Sequence, residues 1–414
     1  MDFAYWRNRS SNIFEENHTM ILYRLCEANQ MIDKPKILFI ASNIPTPKRK
    51  ANKVVLTLAH RLSAFFGVSV LHPTEIAPFP ISLLKKYKNI SVGSSWNDDG
   101  IAITPFKYVR LPNIKFSFLL LPLYKRKIKK HLKTLEQYTV THAHYVMPDG
   151  YFAYQIKALA KTPYFVSFRQ SDEKYMRQLD SKSKVFGMYM DVLQNADHIF
   201  VHNQCHKEYL LQFGIQSQLI GHGIETDFLE EKGIGTTQKQ EIDIASIGEL
   251  IPLKHIDWVI NAVQSYKGEK KVHLYIAGEG PLRHELETIS DPKTITFTGQ
   301  IDRNGVSSLL SKTDIFALPS KPETFGLVYI EAGAKSNAVI ARKDAGIWGH
   351  FADTEEVLFC DDYNSFESQL HKLIDDDALR HKLSRALHEK IASRFTWDEI
   401  TAQYKEQYDL SLKK

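Results

Sequence analysis

"DIFALPSKPETFGLVYIEAGA", residues 314–334, reads as an apolar strand ending at Ser320, a turn through Pro322 and a helix that starts near Thr324. A strand running directly into a helix is the first half of a βαβ unit, because the helix returns the chain to the edge from which a parallel strand can begin. In this reading Glu323 sits in the turn and Glu331 two turns down the helix, so both carboxylates face one crevice. Leu327 and Glu331 are four residues apart and share a helix face. The unpaired N–H groups of the first helical turn form an anion site, and Gly326 lets a ligand approach that backbone closely. Glu331 is then placed to accept hydrogen bonds from vicinal hydroxyls, as on a ribose, and Glu323 from those of a second polyol. Taken alone, the pair reads as a capping acid and a solvated helix glutamate, and only its context favours a site.

The alternation continues on both sides. Upstream lie "IDIASIG" (242–248), "WVINAVQSY" (258–266), "VHLYIAG" (272–278), "LRHELETI" (282–289), "ITFTG" (295–299) and "VSSLLSK" (306–312). An earlier series comprises "KILFIAS" (36–42), "VVLTLAHRLSAF" (54–65), "VSVLHP" (68–73), "YFVSF" (164–168) and "HIFVHN" (198–203). Two runs of strand–helix–strand in 414 residues predict two doubly wound α/β domains, separated by the polar, glycine-containing "LEEKGIGTTQKQE". Ligands in such sheets sit beyond the carboxyl ends of the strands, so a cleft between the domains is the expected site.

Composition supports a globular chain, 43% hydrophobic and 24% charged. Its three cysteines, Cys26, Cys205 and Cys360, have no metal or disulfide spacing and suggest a reducing, cytoplasmic setting. No run approaches the ~18 apolar residues of a membrane span, and the amino terminus has no apolar signal core. The net charge of +5 divides into +13 for residues 1–225 and −8 for 226–414. A basic half points to an anionic partner. "IKFSFLLLPLYKRKIKKHLK" (114–133) joins an apolar run to Lys125, Arg126, Lys127, Lys129, Lys130 and Lys133. That pattern suits either an anionic membrane surface, including the inner membrane face, or a buried segment followed by a solvated basic helix. No zinc-finger spacing or aromatic RNA motif favours nucleic acid. The acidic runs "NDDG" (97–100) and "IDDDA" (374–378) occupy turn and helix-end settings, so no metal site and no cofactor are expected.

Two further strand ends carry phosphate-compatible residues. "YIAGEGPLRHEL" (275–286) turns on Gly278 and Gly280, and "SIGELIPLKHIDWVINA" (246–262) places Gly248 at a strand end and Lys254 close to a helix start. Together with 314–334 these segments resemble, in order and spacing, the retaining glycosyltransferases of family 4, and the glutamate pair is similar to that family's E-x7-E motif. The likeness spans about residues 34–410 and is most specific in the second half.

The resemblance implies the GT-B architecture, two Rossmann-like parallel-sheet domains facing across a cleft. Its divisions are an N-terminal extension (1–33), an acceptor-side domain (34–228), a donor-binding domain (241–390) and a C-terminal helix (391–414) packing back toward the first domain. It implies a nucleotide-sugar donor, UDP-linked by preference, and a sugar or lipid-linked glycan acceptor, as in surface polysaccharide or lipopolysaccharide assembly. Glu323 matches the residue holding the donor sugar and Glu331 the one binding the ribose. Phe325, Gly326 and Leu327 match the segment that contacts the diphosphate, Lys254 the cation that neutralises it, and Gly248, Gly278 and Gly280 border the nucleotide. On the acceptor side, His144 of "THAHYVMPDGYFAY" (141–154) matches a residue near the transferred sugar. Asp149 belongs to the same segment, while Arg169 and Asp172 of "VSFRQSDEKY" match the ends of another.

Three positions depart from the pattern. Glu249 stands where the family commonly has an arginine on the diphosphate, Gln170 replaces a glycine, and the 42–55 loop lacks paired glycines and carries Lys48, Arg49 and Lys50. Glu249 opens a second reading, a donor-binding or scaffold protein of weakened activity, and a GT-B sugar-nucleotide epimerase is a third. Arg342, Arg169 and Lys343 are the candidates for the missing charge.

Overall fold

The computed structural model of the chain describes residues 34–47, 49, 51, 53–76, 94–109, 121–130, 132–230 and 239–413. Residues 1–33, Lys48, Lys50, the 114–120 part of the apolar–basic segment and most of the polar linker lie outside them.

Two sheets carry the fold. The first has the order β3-β4-β2-β1-β5-β6-β7-β8, formed by β1 (Lys36–Ile40), β2 (Gly67–Ile76), β3 (Trp96–Asp98), β4 (Ile101–Val109), β5 (Val140–Ala143), β6 (Tyr164–Phe168), β7 (His198–Val201) and β8 (Gln218–Leu219). All its pairings are parallel except that of β3 with β4. The second, wholly parallel, has the order β11-β10-β9-β12-β13-β14, formed by β9 (Glu241–Ile247), β10 (Lys271–Ala277), β11 (Ile295–Gly299), β12 (Ile315–Leu318), β13 (Ala338–Arg342) and β14 (Leu358–Cys360). Central strands such as β5 (VTHA) and β12 (IFAL) are buried at every residue, as parallel strands covered by helices on both faces must be. The two sheets are thus those of two α/β domains in tandem, as the alternation of strands and helices predicts.

The turn after β12 differs from expectation. Its helix spans Leu327–Ala334, beginning three residues later than the pattern suggested, because Gly326 adopts φ 78° and a left-handed residue cannot continue a helix. Glu331 therefore lies little more than one turn into the helix. A Cβ on Gly326 would also stand 2.5 Å from the Tyr329 ring, so both conformation and space require glycine there.

The helix Trp397–Leu412 returns to the first domain. Tyr408 stacks on Phe165 with centroids 5.4 Å apart and its hydroxyl lies 2.6 Å from His142 Nδ1. Asp398 meets Arg61 at 3.2 Å. The strand-like contact of Ile224 with Thr396 leads into this helix, and Gly221 and Gly223 make it possible: a Cβ on either would lie 2.6 Å from Phe395 or Trp397. Other bonds tie the domains at the cleft floor. Asn203 Nδ2 donates to the carbonyls of Glu323 (3.2 Å) and Thr324 (2.9 Å), and His350 Nε2 lies 3.0 Å from the His202 carbonyl.

Candidate functional site

The carboxyl ends of the two sheets face each other across a cleft of about 1520 Å³, lined from both domains. On the second-domain side, Lys254 ends a short 3-10 turn (Pro252–Lys254) just beyond β9, its stem lying over Gly248. Its Nζ meets Glu323 Oε2 at 2.5 Å, while Glu323 Oε1 accepts the Thr324 N–H at 3.1 Å. The pair is largely shielded, with side-chain exposures of 21% and 18%, so its charges interact more strongly than a surface pair would. Glu323 is thus held at the start of the 327–334 helix, whose first amides and positive dipole end open into the cleft.

Glu331 lines the same cleft, and no hydrogen-bond or ion-pair partner of its carboxylate is found among the described residues. Burial raises its pKa, and Arg303 only partly offsets the shift. A desolvated carboxylate without a donor suits a ligand's hydroxyl groups. Phe325, Gly326 and Leu327 line the cleft beside it. The Phe325 ring, 1% exposed, meets His222 edge-on at 5.1 Å and His350 at 5.2 Å. Glu249 lines the cleft as an exposed residue.

Gly278 and Gly280 are not among the lining residues and act through packing. Gly278 adopts φ 143°, and a Cβ on it would fall 1.9 Å from the Gly248 carbonyl oxygen; one on Gly280 would meet the Leu250 backbone at 2.5 Å. Backbone bonds from Gly248 N to Ala277 O (2.9 Å) and Leu250 N to Glu279 O (3.0 Å) clamp the two strand ends together. These glycines therefore set the height of the loop that carries Gly248, Glu249 and Lys254.

On the first-domain side, His144 is 1% exposed and lies beneath the cleft wall rather than in it. Its ring stacks on His142 at 4.4 Å and meets Phe39 edge-on at 4.6 Å, and neither ring nitrogen has a hydrogen-bond partner among the described residues. Burial, with His142 and Arg169 nearby, holds its pKa well below the ordinary range, so the ring is neutral. Its carbonyl accepts from Arg169 Nε at 3.4 Å, and Arg169 itself lines the cleft.

The two aspartates act as staples. Asp149 Oδ2 accepts the Ser42 N–H at 3.0 Å, and Asp172 accepts the N–H groups of Val146 (3.1 Å) and Arg169 (3.0 Å), so the loops after β1, β5 and β6 are joined. Burial raises the pKa of both, that of Asp172 to about 7. Asp172 reaches the cleft surface and Asp149 does not. Gln170 bonds His206 at 3.1 Å.

Of the three cations considered for the charge missing at Glu249, only Arg169 lines the cleft. Arg342 stacks on Trp258 at 4.6 Å, and Lys343 pairs with Asp361 at 3.5 Å. His222 and Asn203 were not anticipated. The legible signal for His222 was "GHG" after β8, two glycines that leave room for the carboxyl-terminal segment, and the intervening histidine lines the cleft. Among the described residues no cluster of three or more His, Cys, Asp or Glu is arranged for a metal ion. Asp376 caps a helix through the Leu379 N–H (2.9 Å), and Asp98 meets His60 at 3.0 Å.

Two family models match in tandem, one described as Glycosyltransferase Family 4 over residues 51–228 and one described as Glycosyl transferases group 1 over 227–390. The putative teichuronic acid biosynthesis glycosyltransferase TuaC of Bacillus subtilis is 24% identical over 90% of this chain and 95% of its own. Among solved structures, sucrose-phosphate synthase of Thermosynechococcus elongatus superposes with a TM-score of 0.65 at 19% identity, covering 91% of this chain and 99% of that one. HepE of Anabaena, solved in complex with UDP, gives 0.64 at 14% identity, with 91% and 99% covered.

Proposed function

The chain belongs to the GT-B glycosyltransferases of family 4, and from that premise we propose that it transfers a sugar, with retention of configuration, from a UDP-sugar to a lipid-linked or polysaccharide acceptor. The carrying observation is the half-buried Glu331, unpartnered among the described residues, one turn inside a helix whose amino end, Lys254 and Glu323 face the same cleft. Glu331 binds the ribose, the helix amides and Lys254 receive the diphosphate, and Glu323 orients the sugar. As the bond from the anomeric carbon to the phosphate oxygen breaks, negative charge grows on the diphosphate, and preorganised amides and an ammonium group stabilise it there. The acceptor oxygen forms its bond on the same face, and its proton passes to the leaving phosphate oxygen. This reading assigns no cofactor, and transfer is expected to persist in excess EDTA.

TuaC is named for teichuronic acid biosynthesis and HepE was solved with UDP, which supports a polysaccharide acceptor and a uridine donor as the first choices. Incubating the protein with labelled UDP-sugars and lipid-linked oligosaccharide tests the reading. An α-linked product from an α-configured donor, seen in the anomeric proton coupling, is expected, and an inverted product overturns retention.

A membrane-associated acceptor also fits the helix Leu121–Lys130, on which Lys125, Arg126, Lys129 and Lys130 are exposed. Lys127 is committed elsewhere, donating to the Lys107 carbonyl at 2.7 Å and lying 4.5 Å from the Phe106 centroid. No helix of the described residues is long and apolar enough to cross a membrane. We therefore read the four exposed cations as contacts to acidic headgroups at the inner membrane face. Changing them to Ser is expected to abolish flotation with phosphatidylglycerol vesicles; unaltered flotation would remove the membrane from the account.

A further inference from the structure

The donor lobe has a charge problem. Its residues lining the cleft include one cation, Lys254, and three carboxylates, Glu249, Glu323 and Glu331. Lys254 is already engaged by Glu323 at 2.5 Å. A nucleoside diphosphate entering this lobe brings more than one negative charge to a surface that is itself short of cations, and at short range the repulsion opposes binding. A compensating cation has to reach the diphosphate from elsewhere.

The first domain lines the same cleft with Arg49, Arg169 and Lys174. Arg49 donates to Asn43 within its own loop, and Lys174 is an exposed helix residue. Arg169 differs from both. It stands at the carboxyl end of β6, half-buried, with no carboxylate ion pair among the described residues. Its Nη1 donates to His222 Nε2 at 3.3 Å, and its Nε reaches the His144 carbonyl at 3.4 Å. The His222 ring packs edge-on against Phe325 at 5.1 Å, and Phe325 immediately precedes Gly326 and the helix start. Asn203 ties the first domain to the same turn through the Glu323 and Thr324 carbonyls. The guanidinium is thus held across the cleft from the amides that would receive the diphosphate.

We infer that Arg169 is a diphosphate-binding residue of the donor site, supplying from the first domain the cation that the second domain lacks at Glu249. A planar guanidinium whose Nη2 has no partner among the described residues suits this role, since a guanidinium can donate parallel bonds to phosphate oxygens. One consequence is that the donor site is complete only with both domains in place. Nucleotide binding and domain apposition are therefore coupled. The inference rests on the nucleotide-sugar reading above.

The test compares the nucleoside with its diphosphate on the full chain. Calorimetric titration with uridine and UDP, and with guanosine and GDP, is run on wild type, R169Q, R169K and R169Q/E249R, after thermal melts show which variants are folded. For the base that binds, R169Q is expected to weaken diphosphate affinity about 10- to 100-fold, the range for a lost bond to a charged group, while nucleoside affinity is unchanged. R169K should retain part of the affinity and R169Q/E249R should recover it, since a cation is returned to the lobe from the other side. A merely structural Arg169 would affect nucleoside and diphosphate alike and would not be rescued from position 249. Unchanged diphosphate affinity in R169Q, equal loss of both ligands, or a double variant no better than R169Q overturns the inference. If wild type binds neither diphosphate, the donor reading itself falls and takes the inference with it.

Discussion

Glu323→Ala is expected to lower sugar transfer on the order of 10³-fold, the upper range for removal of one preorganised polar group at a reacting centre. Its oxygens are already aimed by Lys254 Nζ at 2.5 Å and the Thr324 N–H at 3.1 Å, so loss of the carboxylate removes a positioned group rather than a mobile one. The fold should persist, because both side chains line the cleft and the freed ammonium can be solvated there. The same variant should bind UDP at least as tightly as wild type, since Lys254 loses the carboxylate that competes with phosphate for it. Loss of transfer with retained UDP binding therefore separates Glu323 from the nucleotide-holding residues. Full activity would remove it from the site, and loss of UDP binding would mean that it acts on the turn rather than on the sugar.

The second large effect concerns stability. Gly278→Ala places a methyl 1.9 Å from the Gly248 carbonyl oxygen on a residue with φ 143°, so the substitution is strained in both space and conformation. Neither neighbour can yield easily, because backbone hydrogen bonds on both sides fix the two loops. A cost of about 3 kcal/mol or more is expected from overpacking together with the backbone term. For a domain of this size that corresponds to roughly 10 °C in melting temperature. The loop carrying Gly248 and Lys254 would move even where the chain still folds, so UDP affinity should fall as well. A variant with unchanged melting temperature and UDP affinity would contradict the clamp assigned to these glycines.

Much of this architecture was legible because parallel βα units have two periods, a short β-rich run and a longer helical one, and few turns interrupt them. "YFVSF" (164–168) coincides with β6 to the residue, since a strand buried on both faces is apolar throughout. The start of the helix after β12 was not legible: the left-handed Gly326 delays it, and φ is a property of the packed turn. The residues proposed to bind the donor, Lys254, Glu323, Phe325, Gly326, Leu327 and Glu331, gather at one wall because each follows a strand end of one sheet. His144, Asp149, Gly278 and Gly280 show where a linear reading stops. All four stand in the expected loops, yet they lie beneath the cleft surface, holding it in place, and only the packing distinguishes a residue that faces a ligand from one that supports its neighbour. His222 and Asn203 escaped notice for the complementary reason, since their significance lies in contacts to Arg169, Phe325, Glu323 and Thr324 far away in the chain.

The central claim is that the cleft holds a nucleoside diphosphate with its ribose on Glu331. Calorimetric titration of wild type and Glu331→Ala with UDP addresses it directly. The account predicts saturable one-site binding to wild type, weakened roughly tenfold or more in the variant by loss of charge-assisted bonds to the ribose hydroxyls. Equal affinity in the two proteins would contradict it.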